Sequence, residues 1–252
     1  MSFQRKSFGV NRLNSFFLAG RTFYNYATTL VDKHAIMIKS RKKYTFNVKN
    51  EKFIKNLLAE GRGCLLVSGH IGNGEIAGNL IHERITSDIN VLFFENEIQH
   101  IKKFVDSKTG GSDFKVIEIK KDLSHLIKIK AAASNNELIA LHGDRMLEDE
   151  KYVEVDMFGN RARFPIGPFM MASKFKIPVL FVFAFKTKYL HFTIHAKRPS
   201  SDELDAESRS SILVNFLDNS SNIENLVKYF ENYRLNLKNN TLNSYIKGVV
   251  KH

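Results

Sequence analysis

From residue 44 onward, short apolar runs alternate with stretches whose apolar positions recur every three or four residues. The runs at 44–48, 64–68, 89–95, 114–119, 137–142, 179–185 and 190–196 have strand length and are rich in β-branched and aromatic residues. Between them the helical spacing predicts helices over 50–60, 73–84, 98–107, 123–134 and 167–175, with two more at about 203–217 and 222–237. Asn50 is placed to cap the first of these and Gly61 to stop it. Residues 152–164 carry a Gly159-Asn160 turn and predict a hairpin. Repeated strand–helix units predict an α/β fold with a mixed, mostly parallel central sheet and helices on both faces.

The chain opens differently. Leu13, Phe16, Phe17, Phe23, Tyr24, Tyr26, Ala27, Leu30 and Val31 keep helical spacing, with His34, Ala35 and Ile38 continuing it. They predict two helices interrupted near Gly20, either lying on lipid or packed on the domain. The organisation expected is a basic amphipathic segment over 1–43 followed by one α/β domain over 44–252. Charge sharpens this division. Residues 1–62 hold thirteen Lys/Arg against three acids, so +10 of the net +12 belongs to one end of the chain. A patch of that kind attracts polyanions, either a phosphate-rich membrane surface or nucleic acid.

Other features narrow the class. The longest clean apolar run, 177–185, has nine residues, against the roughly 20 needed to span a bilayer. The N-terminus has no apolar core ahead of a cleavage site, which predicts a cytoplasmic protein. Cys64, the one cysteine, sits in an apolar run and predicts a buried, inert thiol. His82, His100, His125, His142, His191 and His195 show no zinc-ligand spacing, and no metal is expected. His142 gains interest only from its place beside Gly143. Arg161 and Arg163 are expected as solvated hairpin charges.

The chemistry concentrates in Ser68-Gly69-His70-Ile71-Gly72-Asn73-Gly74-Glu75, where a buried strand runs through three glycines into a helix. Carboxyl ends of strands and amino ends of helices are where α/β folds bind ligands. On one helix, residues five apart differ by about 140° in direction, so His70 and Glu75 meet only across a loop-to-helix junction. Glycine permits that bend. A carboxylate on one imidazole nitrogen fixes the tautomer and leaves the other nitrogen to take a proton. Such a pair is half of a catalytic triad without its serine, so the nucleophile would have to come from the substrate. The alternative at this point is a histidine closing a helix start, with Glu75 favourable to the helix dipole.

The block GHIGNGEIAG resembles the His-x4-Asp/Glu signature of the lysophospholipid acyltransferase superfamily, and in its Gly-His-x-Gly-Asn-x-Glu form the lipid A biosynthesis acyltransferase branch. Two later blocks resemble that family in order: ELIALHGDRML, with Gly143-Asp144-Arg145 at the position of a phosphate-contacting Gly-x-Arg, and RFPIGPFMMASKFKIPVLFVF, a Gly-Pro helix followed by a buried strand. Together they cover about residues 20–235. Where the lipid A branch has Asp-Gln, this chain has Asp144-Arg145, and it has no tryptophan.

The resemblance implies a membrane-associated acyltransferase that moves a fatty acyl group from an acyl-carrier-protein or CoA thioester to a hydroxyl or amine of a lipid acceptor. His70 is then the general base and Glu75 its orienter. Arg145, with Gly143 and Asp144, would bind the acceptor's phosphate, and backbone N–H groups from Gly72 to Gly74 would receive the oxyanion. Asn73 would orient the acceptor or cap the helix. No cofactor is expected beyond the thioester co-substrate, and the expected location is the cytoplasmic face of the inner membrane, held peripherally. Two other readings stay open on the residues alone: a hydrolase that directs water through the same dyad, and a nucleic-acid binder using the basic end, for which no reading motif is present.

Overall fold

The computed structural model describes residues 5, 9–37, 40–70, 72–74, 84–94, 114–120, 122–144, 151–157 and 160–197. Within them the chain forms helix α1 (Arg12–Met37), a 3-10 turn (Ser40–Lys43), β1 (Thr45–Lys49), α2 (Glu51–Ala59), β2 (Cys64–Ser68) and β3 (Ile89–Phe94). Then follow β4 (Lys115–Ile119), α3 (His125–Ser134), β5 (Leu138–His142), β6 (Tyr152–Met157), β7 (Asn160–Pro165), α4 (Gly167–Phe175), β8 (Val179–Lys188) and β9 (His191–Lys197). The helices expected at 98–107, 203–217 and 222–237, and all but the ends of that at 73–84, lie outside the described residues.

Seven strands make one sheet in the order β1-β9-β8-β2-β5-β3-β4, and β6 pairs with β7 as a separate antiparallel hairpin. Every neighbouring pair in the large sheet is parallel except β8 with β9. The fold is therefore the mixed, mostly parallel α/β architecture that the alternation predicts. From β2 the chain turns to one side for β3, β4 and β5, and to the other for β8 and β9. Such a division of strand order opens a crevice beyond the carboxyl end of the dividing strand.

Alternation along the strands sorts the core into two layers. Leu65, Val67, Ile139, Leu141, Phe181 and Phe183 pack with Ile129 of α3 and Phe169 of α4 on one face. Leu66, Leu138, Leu180 and Val182 pack with Ile54 and Leu57 of α2 and Ile36 of α1 on the other. The hairpin joins the first layer through Val155 and Phe164. Each large side chain buried in this way contributes about 1.5–3 kcal/mol of transfer free energy. Cys64 is fully buried, as its apolar run predicts.

Two local expectations differ. Asn50 does precede α2, but with φ 62° and no side-chain capping bond. Its Nδ2 instead donates to the Ala196 carbonyl at 3.1 Å and ties α2 to β9; asparagine tolerates the left-handed region that this requires. The break expected near Gly20 is absent, and α1 runs through it for 26 residues. An interior glycine costs about 1 kcal/mol against alanine, too little to stop a helix without proline. Among the described residues no other element comes within 4 Å of where a Gly20 Cβ would sit, so no close approach requires glycine there.

Candidate active site

Three residues converge beyond the carboxyl ends of β2 and β5. The strands run parallel in a register that pairs Ser68 with His142, so Ser68-Gly69-His70 and His142-Gly143-Asp144 leave the sheet side by side. The Gly143 amide donates to the Ser68 carbonyl at 2.9 Å and stitches the two exits together. A Cβ on Gly143 would come within 2.8 Å of Val67 Cγ1, so the close approach needs glycine here.

The stitch delivers Asp144 to His70. One carboxylate oxygen lies 2.8 Å from His70 Nδ1, and the other accepts the His70 backbone N–H at 2.6 Å. A carboxylate only accepts, so Nδ1 carries the proton and Nε2 keeps its lone pair. The His70 side chain stays 38% exposed while Asp144 is more covered, so the imidazole is open to solvent. His142 flanks the pair, its ring centroid 4.4 Å from that of His70 at an interplanar angle of 33°.

The glycine loop after His70 is pinned to the far side of the crevice. Gly72 has φ +76°, and a Cβ there would overlap the Ala184 carbonyl oxygen of β8. Asn73, buried, donates its amide to the same oxygen at 2.8 Å. That N–H is therefore committed to β8, which removes it from the oxyanion donors expected between Gly72 and Gly74. A Cβ on Gly74 would lie 3.0 Å from His142 Cε1, so this glycine leaves room for the second imidazole. Glu75 and Arg145, the expected orienter and phosphate contact, lie outside the described residues.

A cavity of about 550 Å³ is lined by both imidazoles and by residues of α3, β3 and α4. Leu92, Phe94, Leu126, Met170, Met171 and Phe175 line it, with His70 and His142 at one wall. His125, expected as an ordinary surface or strand histidine, also lines it and is buried at the start of α3. Its Nδ1 accepts the Lys120 N–H at 3.2 Å, which puts the ring proton on Nε2. Burial lowers its pKa, with the nearby Asp122 opposing, so the ring favours its neutral form. The volume falls within the roughly 300–1,000 Å³ of small-molecule sites.

Two features of this site escape sequence spacing. Asp144 lies 74 positions from His70 and meets it only because β2 and β5 are neighbours. The apolar cavity depends on how α3 and α4 lean on the sheet. The one available signal was the repeated pattern of a strand ending in glycine flanked by histidine.

The profile of the bacterial lipid A biosynthesis acyltransferase family matches residues 18–232. No curated protein matches the chain.

Proposed function

The chain belongs to the bacterial lipid A biosynthesis acyltransferase family, and from that premise we propose that it transfers a fatty acyl group from an acyl-carrier-protein or CoA thioester to a hydroxyl or amine of a phosphorylated lipid. The observation that carries the reading is the His70 Nδ1–Asp144 contact of 2.8 Å beside an apolar cavity. His70 Nε2 takes the proton of the acceptor as its oxygen or nitrogen attacks the thioester carbonyl. Asp144 holds the ring and stabilises the imidazolium that forms. Glu75 of the family signature is assigned to the same base.

The tetrahedral oxyanion then needs donors, and the assignment falls to the Gly72 and Gly74 amides of the loop. Collapse expels the thiol, which leaves with a proton returned by His70. The cavity takes the acyl chain, since its apolar lining offers hydrocarbon a dry site while the thioester reaches the imidazole. Arg145, following Asp144, binds the acceptor phosphate as a bidentate donor. Helix α1 and the basic residues around it hold the enzyme on an anionic bilayer.

The test is transfer of labelled acyl groups, from both thioester classes, into a bacterial lipid extract by wild type and His70→Ala. Product lipids are identified by mass spectrometry and folding is checked by circular dichroism. Wild type should label a phosphorylated lipid, and the variant should lose at least about 100-fold in rate. Turnover retained in a folded His70→Ala protein would overturn the assignment of the base.

A further inference from the structure

We propose that His70, His142 and Asp144 form a three-ligand site for a divalent transition-metal ion of the zinc class, and that its occupancy shuts off the base. Each residue offers one ligand atom, and the three atoms all lie within 4.8 Å of one another. Two imidazoles and a carboxylate are a donor set that zinc takes up. Tetrahedral zinc, with bonds of about 2.0–2.2 Å, holds its ligands roughly 3.4 Å apart, so side-chain rotation of about an ångström closes the site. The backbone is already in place, because all three residues leave two neighbouring parallel strands stitched by the Gly143 amide. Gly74 supplies the space, since a side chain there would press on His142 Cε1.

A second observation points the same way. The Ser68 hydroxyl is screened from solvent and has no hydrogen-bond partner among the described residues. It lies 3.4 Å from the position of a Gly74 Cβ, which is also 3.0 Å from His142 Cε1. An ion, or water bound to it, would satisfy that oxygen. The His70 side chain is 38% exposed, which leaves solvent to supply a fourth ligand.

The consequence for activity rests on the acyl-transfer reading. A metal bound to His70 withdraws the lone pair that would take the acceptor's proton, or draws Asp144 away from Nδ1, so zinc opposes transfer. Magnesium, which demands six oxygen-rich ligands, should have no such effect.

Binding is measured separately from catalysis. Full-length protein stripped with EDTA is dialysed to equilibrium against zinc alone, and cobalt is added in parallel for its visible spectrum. Wild type should hold one ion per chain with a tetrahedral-type cobalt spectrum. His142→Gln and Asp144→Asn should each weaken zinc at least about tenfold, and the double variant should abolish the spectrum. In acyl-transfer assays zinc should inhibit with the midpoint found by dialysis, and EDTA should restore the rate. Zinc uptake equal in wild type and the double variant overturns the site. Activation by zinc, or inhibition unrelated to occupancy, overturns the switch. If no acyl transfer is found for any donor, dialysis and the cobalt spectrum still decide the site.

Discussion

At the scale of single residues, the site turns on what holds His70. Asp144 bridges the imidazole and the backbone N–H of the same residue, so it fixes both ring tautomer and loop position. The family resemblance pointed Asp144 toward the substrate, and the five-residue spacing pointed Glu75 toward the imidazole. The two roles make different kinetic predictions for Asp144→Asn. An orienting carboxylate acts in the transition state, and the amide favours the wrong tautomer, so kcat should fall by about 10²–10⁴ with KM nearly unchanged. A residue that chiefly binds acceptor would raise KM for the lipid and spare kcat. Steady-state kinetics with varied acceptor separates them, and a KM effect alone would return Asp144 to substrate binding.

Among the elements, α1 is held by a buried polar cluster beside the apolar anchor of Ile36. Asp32, buried near its carboxyl end, accepts from Tyr44 Oη at 3.0 Å and pairs with Lys186 Nζ of β8 at 2.6 Å. Burial, and then the bond to Asp32, pushes the Tyr44 phenol up to about 12, so it stays a donor. Removing one partner of a buried pair strands the other. Asp32→Ala should therefore cost about 2–3 kcal/mol in urea unfolding, below the 3–5 of fully buried pairs because Lys186 keeps part of its surface in water. An unchanged midpoint would show that α1 is anchored elsewhere. The same helix marks the limit of what sequence could tell. Strand β2, apolar between Gly63 and Gly69, and the apolar start of β8 after Pro178 were legible because a short apolar run bounded by glycine or proline fits a strand buried on both faces. The Gly20 break was not there to be read, since a glycine's propensity cost is small against the length of the helix. His70 was legible from its glycine-rich junction. Its pairing with Asp144 and its stacking with His142 depend on which strands become neighbours, and no local spacing encodes that.

On the scale of the whole molecule, α1 leaves a stripe of aromatic and aliphatic side chains uncovered. Ser15 and Asp32 are buried, whereas Leu13, Phe16, Phe17, Phe23, Tyr24 and Val31 are 61–76% exposed along the opposite stripe. No helix among the described residues is long and apolar enough to cross a membrane. A 26-residue helix is about 39 Å long, and laid flat it would place this stripe at the depth where interfacial helices bury their apolar face. Arg5, Arg12, Lys42 and Lys43 are exposed near its two ends, each worth about 1 kcal/mol beside anionic headgroups. Burial of a phenylalanine in an apolar phase is worth about 1.5–3 kcal/mol, so Phe17→Asp with Phe23→Asp should weaken binding to vesicles containing phosphatidylglycerol at least tenfold. Neither side chain is in the core, so circular dichroism and thermal stability should hold. Wild-type binding should also fall as salt shortens the screening length to about 3 Å at 1 M, while the apolar part persists. Co-sedimentation reads both effects. Binding that is unchanged in the double variant would remove α1 from the membrane contact. Binding lost wholly to salt would assign the contact to charge alone, with the aromatic stripe facing something other than lipid.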